Sequence, residues 1–409
     1  MENVWDFIII GGGASGLAAA ISASSYGDRV LILEKNSSLG KKISASGNGR
    51  CNLMNINKPI YYGDKDFAET VLRKIDPQKL EKFWSNLGLL LSEDPEGRIY
   101  PCTFQAVSVL DALKVRLKNK TEIRLTTTAK QILLKNNVFM ISTEKETFYA
   151  RRIMIATGGP AAAKLGGSAD GYFFLKSFGH HIIPPSAALC PLCTDTKSIS
   201  GLAGIRVKCG IRLNDKHGNM KYRNKGEVLF TDYGISGICA MQCARFAAAE
   251  DQIELNLADR FFTNREQLIN TLLERREHFS ELPPDYLLNG ILLPRLSYAV
   301  IKQSGSDIKR KNVGYFSDEE IRRIAGCVMG YRLCVTGTKG LDEAQVTAGG
   351  ADCSEFDPLT LASKLVPGLF SGGEVLNVDG DCGGYNLMFA FATGILAGVN
   401  GRDLKGADL

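Results

Sequence analysis

The chain has few histidines, four in 409 residues, and only two tryptophans. None of the histidines stands in a Ser-His-Asp or His-Glu-x-x-His arrangement, which sets aside hydrolysis of those two kinds. His180 and His181 follow Gly179 in a turn and read as structural. Cys190 and Cys193 form a C-x-x-C, but no second cysteine pair or histidine cluster completes a zinc set, so packing is the expected role and no metal is expected. No secretory signal is visible: the N-terminus is acidic and the first apolar run ends in glycines. With an odd eleven cysteines, this predicts reduced thiols and a cytoplasmic protein. The most apolar late stretch, Leu387 to Val399, is too short to span a bilayer and contains Gly394 and Gly398. Repeats and low-complexity tracts are absent. Charge is nearly balanced, 49 basic against 44 acidic side chains for a net +5, and interspersed. Arg151-Arg152 and Lys309-Arg310-Lys311 are isolated basic runs without interleaved aromatics, so a nucleic-acid partner is not expected, whereas a small anionic ligand is.

What is present is an ordinary globular composition, 44% hydrophobic and 23% charged, and a surplus of glycine, 43 residues gathered in loops. Two or three domains are expected from the length. Phe7 to Ile10 is a short β-branched apolar run that reads as a buried parallel strand. Gly11-Gly12-Gly13-Ala14-Ser15-Gly16 follows, then the helix formers Leu17 to Ile21, then a second buried strand, Val30 to Leu33, ending on Glu34 and Lys35. This is a βαβ unit with G-x-G-x-x-G at its first turn, the dinucleotide fingerprint. Gly11 makes the turn, Gly13 lets a pyrophosphate approach the backbone, and Gly16 lets the helix pack on the strand. The helix N-terminus offers Ala14 and Ser15 N–H groups and a partial positive charge. Glu34 stands where a carboxylate would take the ribose hydroxyls.

Ser37 to Asn52 is rich in small residues and reads as a backbone-lined loop. Within it, Lys41, Lys42 and Arg50 supply charge near the pyrophosphate, and Ser46, Gly47, Asn48, Gly49, Cys51 and Asn52 are further candidate cofactor contacts. Phe67 to Leu87 and Gln105 to Leu117 read as helices, and Ile123 to Leu134, Val138 to Ser142 and Thr147 to Ala150 as an antiparallel meander. A separate strand over Ile153 to Ile155 closes on Ala156-Thr157-Gly158. That layout is similar to FAD-binding domains of the glutathione-reductase type, which implies that the Ala156-Thr157-Gly158 turn passes near the cofactor and that Ala129 touches adenine with its backbone. Short alternating runs from Leu189 to Phe230 suggest a small β-barrel, Arg265 to His278 is an amphipathic helix, and Ser317-Asp318-Glu319-Glu320 is a capping box. The expected fold class is α/β, a Rossmann domain over 1–188 and 346–409 with an inserted β-barrel (189–257 and 331–345) and a helical subdomain (258–330). Near the C-terminus, Gly372-Gly373-Glu374 and Asp379 to Asn386 precede the small-residue helix that begins at Leu387. A second glycine-led helix N-terminus suits the pyrimidine edge of a flavin, where reduction places negative charge. Gly373, Glu374, Asp379, Gly384, Tyr385, Asn386 and Leu387 are therefore cofactor candidates.

These motifs together resemble the YhiN/BaiN-like family of FAD-dependent flavoproteins, also labelled aminoacetone-oxidase-like. The likeness runs through Gly40-Lys41-Lys42-Ile43, Ser46 to Asn52, Gly97 to Pro101, Ala156 to Gly159, Asp170-Gly171-Tyr172, Gly226 to Thr231, Gly234 to Gly237, Val346 to Gly350, Pro367-Gly368-Leu369 and Gly383 to Leu387. The chain departs from the family pattern at Cys190, Thr231-Asp232, Ile238-Cys239 and Met388-Phe389. The resemblance implies non-covalent FAD and an oxidoreductase acting on CH–CH bonds, reducing a conjugated C=C in a 3-oxo steroid or bile-acid intermediate. Such a substrate is a small molecule, apolar with an anionic tail. NADH or NADPH would be the transient donor, although no second G-x-G-x-x-G is present to hold it. Tyr385 is the candidate proton donor and Cys51 the candidate redox partner, with a thiol packed as a small hydrophobe the alternative for Cys51. An oxidase of a small amine and a flavin module without turnover, RNA-associated or not, remain as other readings.

Overall fold

The computed structural model describes residues 4–400 and 402. The chain divides into two compact units, Met1–Ser186 with Gln345–Leu409, and Ala187–Ala344.

In the first unit, β1 (Val4–Ile10) is central to a largely parallel sheet. It runs parallel to β2 (Val30–Leu33) on one side and to Thr147–Ile155 on the other. β2 pairs in parallel with Thr121–Arg124, and Thr147–Ile155 with Leu369–Ser371. Phe7, Ile8 and Ile9 have no exposed surface, as expected of a strand covered on both faces and built from an unbroken apolar run. The helix α1 (Ala14–Ser25) returns the chain from β1 to β2. The carboxyl ends of these strands deliver Gly11, Glu34 and Ala156 to one edge of the sheet, where ligands bind in folds of this type.

Several local expectations are corrected. Ile123 is not part of the meander: Thr121–Arg124 is a parallel edge strand, and the meander proper is Gln131–Lys135, Val138–Ser142 and the start of Thr147–Ile155. Thr147 to Ile155 is one strand, antiparallel to Val138–Ser142 over Thr147 to Ala150 and parallel to β1 from Tyr149 onward. The helix expected over Phe67 to Leu87 breaks into Lys65–Lys74 and Pro77–Asn86. Pro77 cannot donate the N–H that a continuous helix needs, and Asp76 caps the second helix by accepting from Lys79 N at 2.9 Å. The loop from Ser37 to Asn52 contains one short helix, Lys41–Ala45, and then a turn with Gly47 and Asn48 in the left-handed region.

The second unit contains a closed six-stranded barrel of Leu192–Thr194, Gly234–Ser236, Met220–Phe230, Arg206–Asn214, Gln252–Asn256 and Tyr331–Thr338. Cys209, Ile211 and Leu213 face its interior and alternate with exposed Lys208 and Arg212. Asp215 closes the longest hairpin by accepting from His217 N and Asn219 N. The helix Arg265–His278 is capped by Asn264, and Ser317 and Glu320 form a reciprocal capping box on Asp318–Met329.

All eleven cysteines are free, and among the described residues no group of three or more His, Cys, Asp or Glu could hold a metal ion. Cys190 is buried, with its thiol 3.4 Å from Gly340 O. His180 is buried between Glu355 (Nδ1, 2.8 Å) and Ser363 (Nε2, 2.9 Å) and stacks on Phe356. No helix among the described residues is long and apolar enough to cross a membrane.

Candidate cofactor site

The site lies within the first unit and starts where β1 ends. Gly11 has φ +111°, and a Cβ there would stand 2.4 Å from Ala156 O, so no other residue fits. Gly16 is equally constrained: its Cβ would lie 2.0 Å from Gly11 O. Gly13 differs, because nothing lies within 4 Å of its missing Cβ. It is the N-cap of α1, which has no side-chain cap and no acidic residue in its first turn. The opening therefore faces free N–H groups and the positive end of a helix dipole.

Glu34 is buried and braces this turn. Its Oε2 accepts from Gly12 N at 2.7 Å, and its Oε1 accepts from Asn36 N and Nδ2, each at 2.7 Å. Thr127 N donates to Glu34 O and Thr126 N to Asn36 O, which brings the segment leading to buried Ala129 alongside Glu34. Lys35 pairs with Asp170 at 3.6 Å. Ala156 is tied to β1 through its N–H to Ile10 O, and beyond it Thr157 and Gly158 are half-buried, with open space at the Gly158 Cβ position.

The C-terminal glycines meet the N-terminal ones directly. Ser15 Oγ donates to Gly372 O at 3.2 Å, and Gly373 N donates to Thr393 Oγ1 at 2.9 Å. The helix Tyr385–Val399 packs on α1 so closely that a Cβ on Gly394 would stand 2.2 Å from Ser15 O, and one on Gly398 would stand 2.4 Å from Ala19 O. Its N-cap, Gly384, has φ +103°, with no side-chain cap and no acidic residue in the first turn. The Asn386 amide clamps the preceding turn by accepting from Gly380 N and donating to Gly380 O. Asp379 is buried in Val378–Gly380, which pairs with Tyr61–Gly63. Asn55 Nδ2 donates to Gly383 O at 3.0 Å, and Tyr61 OH to Tyr385 O at 2.8 Å.

Two expected cofactor contacts hold each other. Lys42 Nζ lies 3.0 Å from Glu374 Oε2, and Glu374 Oε1 accepts from Thr347 N and Oγ1. Thr347 Oγ1 in turn accepts from Ala161 N, so four distant segments are strapped together. Ser46 Oγ donates to Ile43 O, and its carbonyl accepts from Cys51 N. Asn48, Gly49 and Arg50 line a recess with Phe104 and Gln105. Leu387 is half-buried on the first turn of the C-terminal helix. Sequence reasoning missed Asn55, Tyr61, Thr393, Phe104 and Gln105, whose roles are set by long-range neighbours. Thr347 had a signal, since it stands in Val346 to Gly350.

Burial raises the Tyr385 phenol above its ordinary range, with Asp381 adding to the effect, so it stays protonated at neutral pH. Cys51 has φ +59° and no exposed surface. Burial pushes its thiol up to about 11, which favours the packed thiol over a redox-active thiolate.

A flavin adenine dinucleotide has a dianionic pyrophosphate at its middle and an O=C–NH–C=O edge on its ring. The residues fit it: two uncapped helix N-termini stand ready for negative charge, and Gly13 and Gly158 leave open backbone.

Comparison with known proteins finds relatives along nearly the whole chain. The family model HI0933-like protein Rossmann domain matches residues 5–400. The 3-dehydro-bile acid delta(4,6)-reductase of Clostridium scindens is 36% identical over 410 residues, covering 95% of this chain and 97% of its own. The ribosomal RNA dihydrouridine synthases of Escherichia coli and Haemophilus influenzae are each 27% identical, covering 95% and 96% of this chain and 96% and 97% of theirs.

Proposed function

The chain belongs to the HI0933-like family, and on that premise we propose that it is an FAD-dependent oxidoreductase that saturates a carbon–carbon double bond conjugated to a carbonyl. The observation that carries this reading is the agreement between two relatives matched along nearly the whole chain. A 3-dehydro-bile acid Δ4,6-reductase and a dihydrouridine synthase are named for different substrates. Both names point to a bond of one kind, a C=C in conjugation with a carbonyl, whose reduction places hydride at an electron-poor end of the conjugated system, β in uracil and β or δ in a Δ4,6-dienone, and a proton at the adjacent carbon. The higher identity favours a 3-oxo steroid acid as the substrate, apolar with one anionic tail; uridine in RNA is the second reading.

Bound FAD supplies the two-electron hydride carrier, recharged by NADH or NADPH. The chain does the rest. The α1 N-terminus and open Gly13 would receive the pyrophosphate, and Glu34, which holds the fingerprint turn through Gly12 N, would stand on the ribose side. The uncapped N-terminus of Tyr385–Val399 would serve the ring edge that becomes electron-rich, where helix N–H groups stabilise charge without a full counter-ion. Tyr385, a phenol that burial raises further above its ordinary range, would hold a proton for the carbon next to the one that takes hydride. Cys51 packs as a thiol.

The test is anaerobic rapid mixing of the flavin-loaded protein with each nicotinamide, followed by a 3-oxo-Δ4,6 steroid acid or by uridine-containing RNA. The flavin band should bleach with one nicotinamide and return with the steroid acid, and the product should be two mass units heavier. A flavin-loaded protein that neither NADH nor NADPH bleaches would overturn the reductase.

A further inference from the structure

The first unit carries an open recess of about 500 Å³, walled by Asn48, Gly49, Arg50, Phe104 and Gln105. That is the size of a small-ligand site. No residue between 11 and 16 or between 372 and 386, the two glycine clusters given to the flavin, is among its walls. Its charge is of one sign. Arg50 is exposed, and its guanidinium meets no carboxylate or carbonyl among the described residues. Lys41 and Lys42, from the same loop, are held by Asn36 and Glu374, each at 3.0 Å. The side-chain amides of Asn48 and Gln105 are also without partners among the described residues. Gln105 is the N-cap of the 12-residue helix Ala106–Leu117, whose first turn has no acidic residue, so the helix end adds to the positive side. Phe104 is the one aromatic wall and is 38% exposed. Its backbone lies in the left-handed region at φ +51°, where a bulky residue is rare. Its N–H donates to Pro101 O at 2.8 Å and its ring lies 5.4 Å from that of Tyr100, so the ring is held in place at the recess.

We propose that this recess docks the phosphorylated adenosine end of the nicotinamide donor, a proposal that rests on the reductase reading above and goes beyond it by giving the donor a place. The chain has no second G-x-G-x-x-G, so a second dinucleotide needs a site built from side chains. Three parts match. The Arg50 guanidinium offers paired donors to a phosphate and has no carboxylate to compete for them. The Phe104 ring gives an adenine a face to stack on. The two amides, each both donor and acceptor, suit the mixed edge of the base. An anionic steroid tail is the other source of negative charge, but a fused four-ring skeleton needs apolar walls, and Phe104 is the one apolar side chain lining the recess.

The test uses the full-length protein loaded with FAD, so that the flavin site is filled, and titrates it with ADP-ribose, the donor without its redox-active ring. Calorimetry should show binding that weakens about tenfold in Arg50→Ala, the effect of one charge-assisted contact, and that Arg50→Lys partly restores. Phe104→Asn, which suits the left-handed backbone and removes the ring, should weaken it several-fold. ADP-ribose should also compete with the nicotinamide for bleaching of the flavin in the wild type. Arg50 is exposed and bonds nothing through its side chain, so its removal does not threaten the fold. An Arg50→Ala protein that binds ADP-ribose as the wild type does overturns the proposal, as does a wild type that binds none. So does an Arg50→Ala protein that loses FAD instead, which gives Arg50 to the flavin pyrophosphate, or one whose affinity falls for the 3-oxo steroid acid and not for ADP-ribose. Those failures leave the reductase standing wherever nicotinamide still bleaches the flavin. A flavin that neither nicotinamide bleaches overturns the reductase, and with it the donor named here, even where ADP-ribose binds.

Discussion

The contact between α1 and the helix Tyr385–Val399 makes a sharp test, because it joins both ends of the cofactor site. Gly394 sits in a helix interior, where alanine is ordinarily better by about 1 kcal/mol. Here its Cβ would stand 2.2 Å from Ser15 O and 2.8 Å from Ala18 Cβ, against about 3.4 Å for ordinary contact. The obstacle is a backbone carbonyl, so no rotamer change relieves it and the helices must part by about 1.2 Å locally. Overpacking of this kind costs about 1–3 kcal/mol, enough to reverse the propensity gain. Gly394→Ala should therefore destabilise the protein by about 1–2 kcal/mol. Because Ser15 also bonds Gly372 O, FAD binding should weaken about tenfold, one shifted hydrogen bond's worth. Urea unfolding followed by circular dichroism measures the first effect, and flavin fluorescence titration the second. Gly326→Ala is the control: it too is helical, but its Cβ meets only the flexible end of Arg265 at 3.0 Å, so it should be neutral or slightly stabilising. A Gly394→Ala protein as stable as the wild type, with unchanged flavin affinity, would refute the claim that this close approach sets the geometry of the site.

Glu34→Gln replaces one acceptor oxygen by a donor facing Gly12 N or Asn36 N, and flavin affinity should fall at least tenfold in equilibrium dialysis. Cys51→Ala should retain flavin and its reduction by nicotinamide, and the native Cys51 thiol should resist alkylation at pH 8 by mass spectrometry, because its pKa is about 11. For Asp28, burial pushes the carboxyl up, but hydrogen bonds from Arg402 and Arg152 outweigh it and hold the pKa below the usual 3.8. A depressed carboxyl stabilises the fold fully above its unfolded value and loses that contribution as pH falls through the folded one. Asp28→Asn should cost about 2 kcal/mol at neutral pH, and the difference in urea midpoint should close as the pH drops below the ordinary carboxylate range.

The dinucleotide fingerprint could be read along the chain because its determinants are local. The apolar run Phe7 to Ile10, the steric demands at Gly11 and Gly16, and the acidic end of β2 all fall within about thirty residues, where spacing alone dictates strand, turn and helix. The capping box at Ser317 and the helix Arg265–His278 were legible for the same reason: caps and periodicity are properties of neighbours in sequence. Pairing partners were not. Thr121–Arg124 and Gln131–Lys135 are both short runs, and only the sheet places the first in parallel beside β2 and the second in the meander. Tertiary structure alone made Lys42 and Glu374, 332 residues apart, partners of one another, and set Asn52 against Gly384. Backbone geometry and caps act over a few residues, so sequence specifies them; side-chain partners across the sheet depend on packing that closes only once the whole unit has folded.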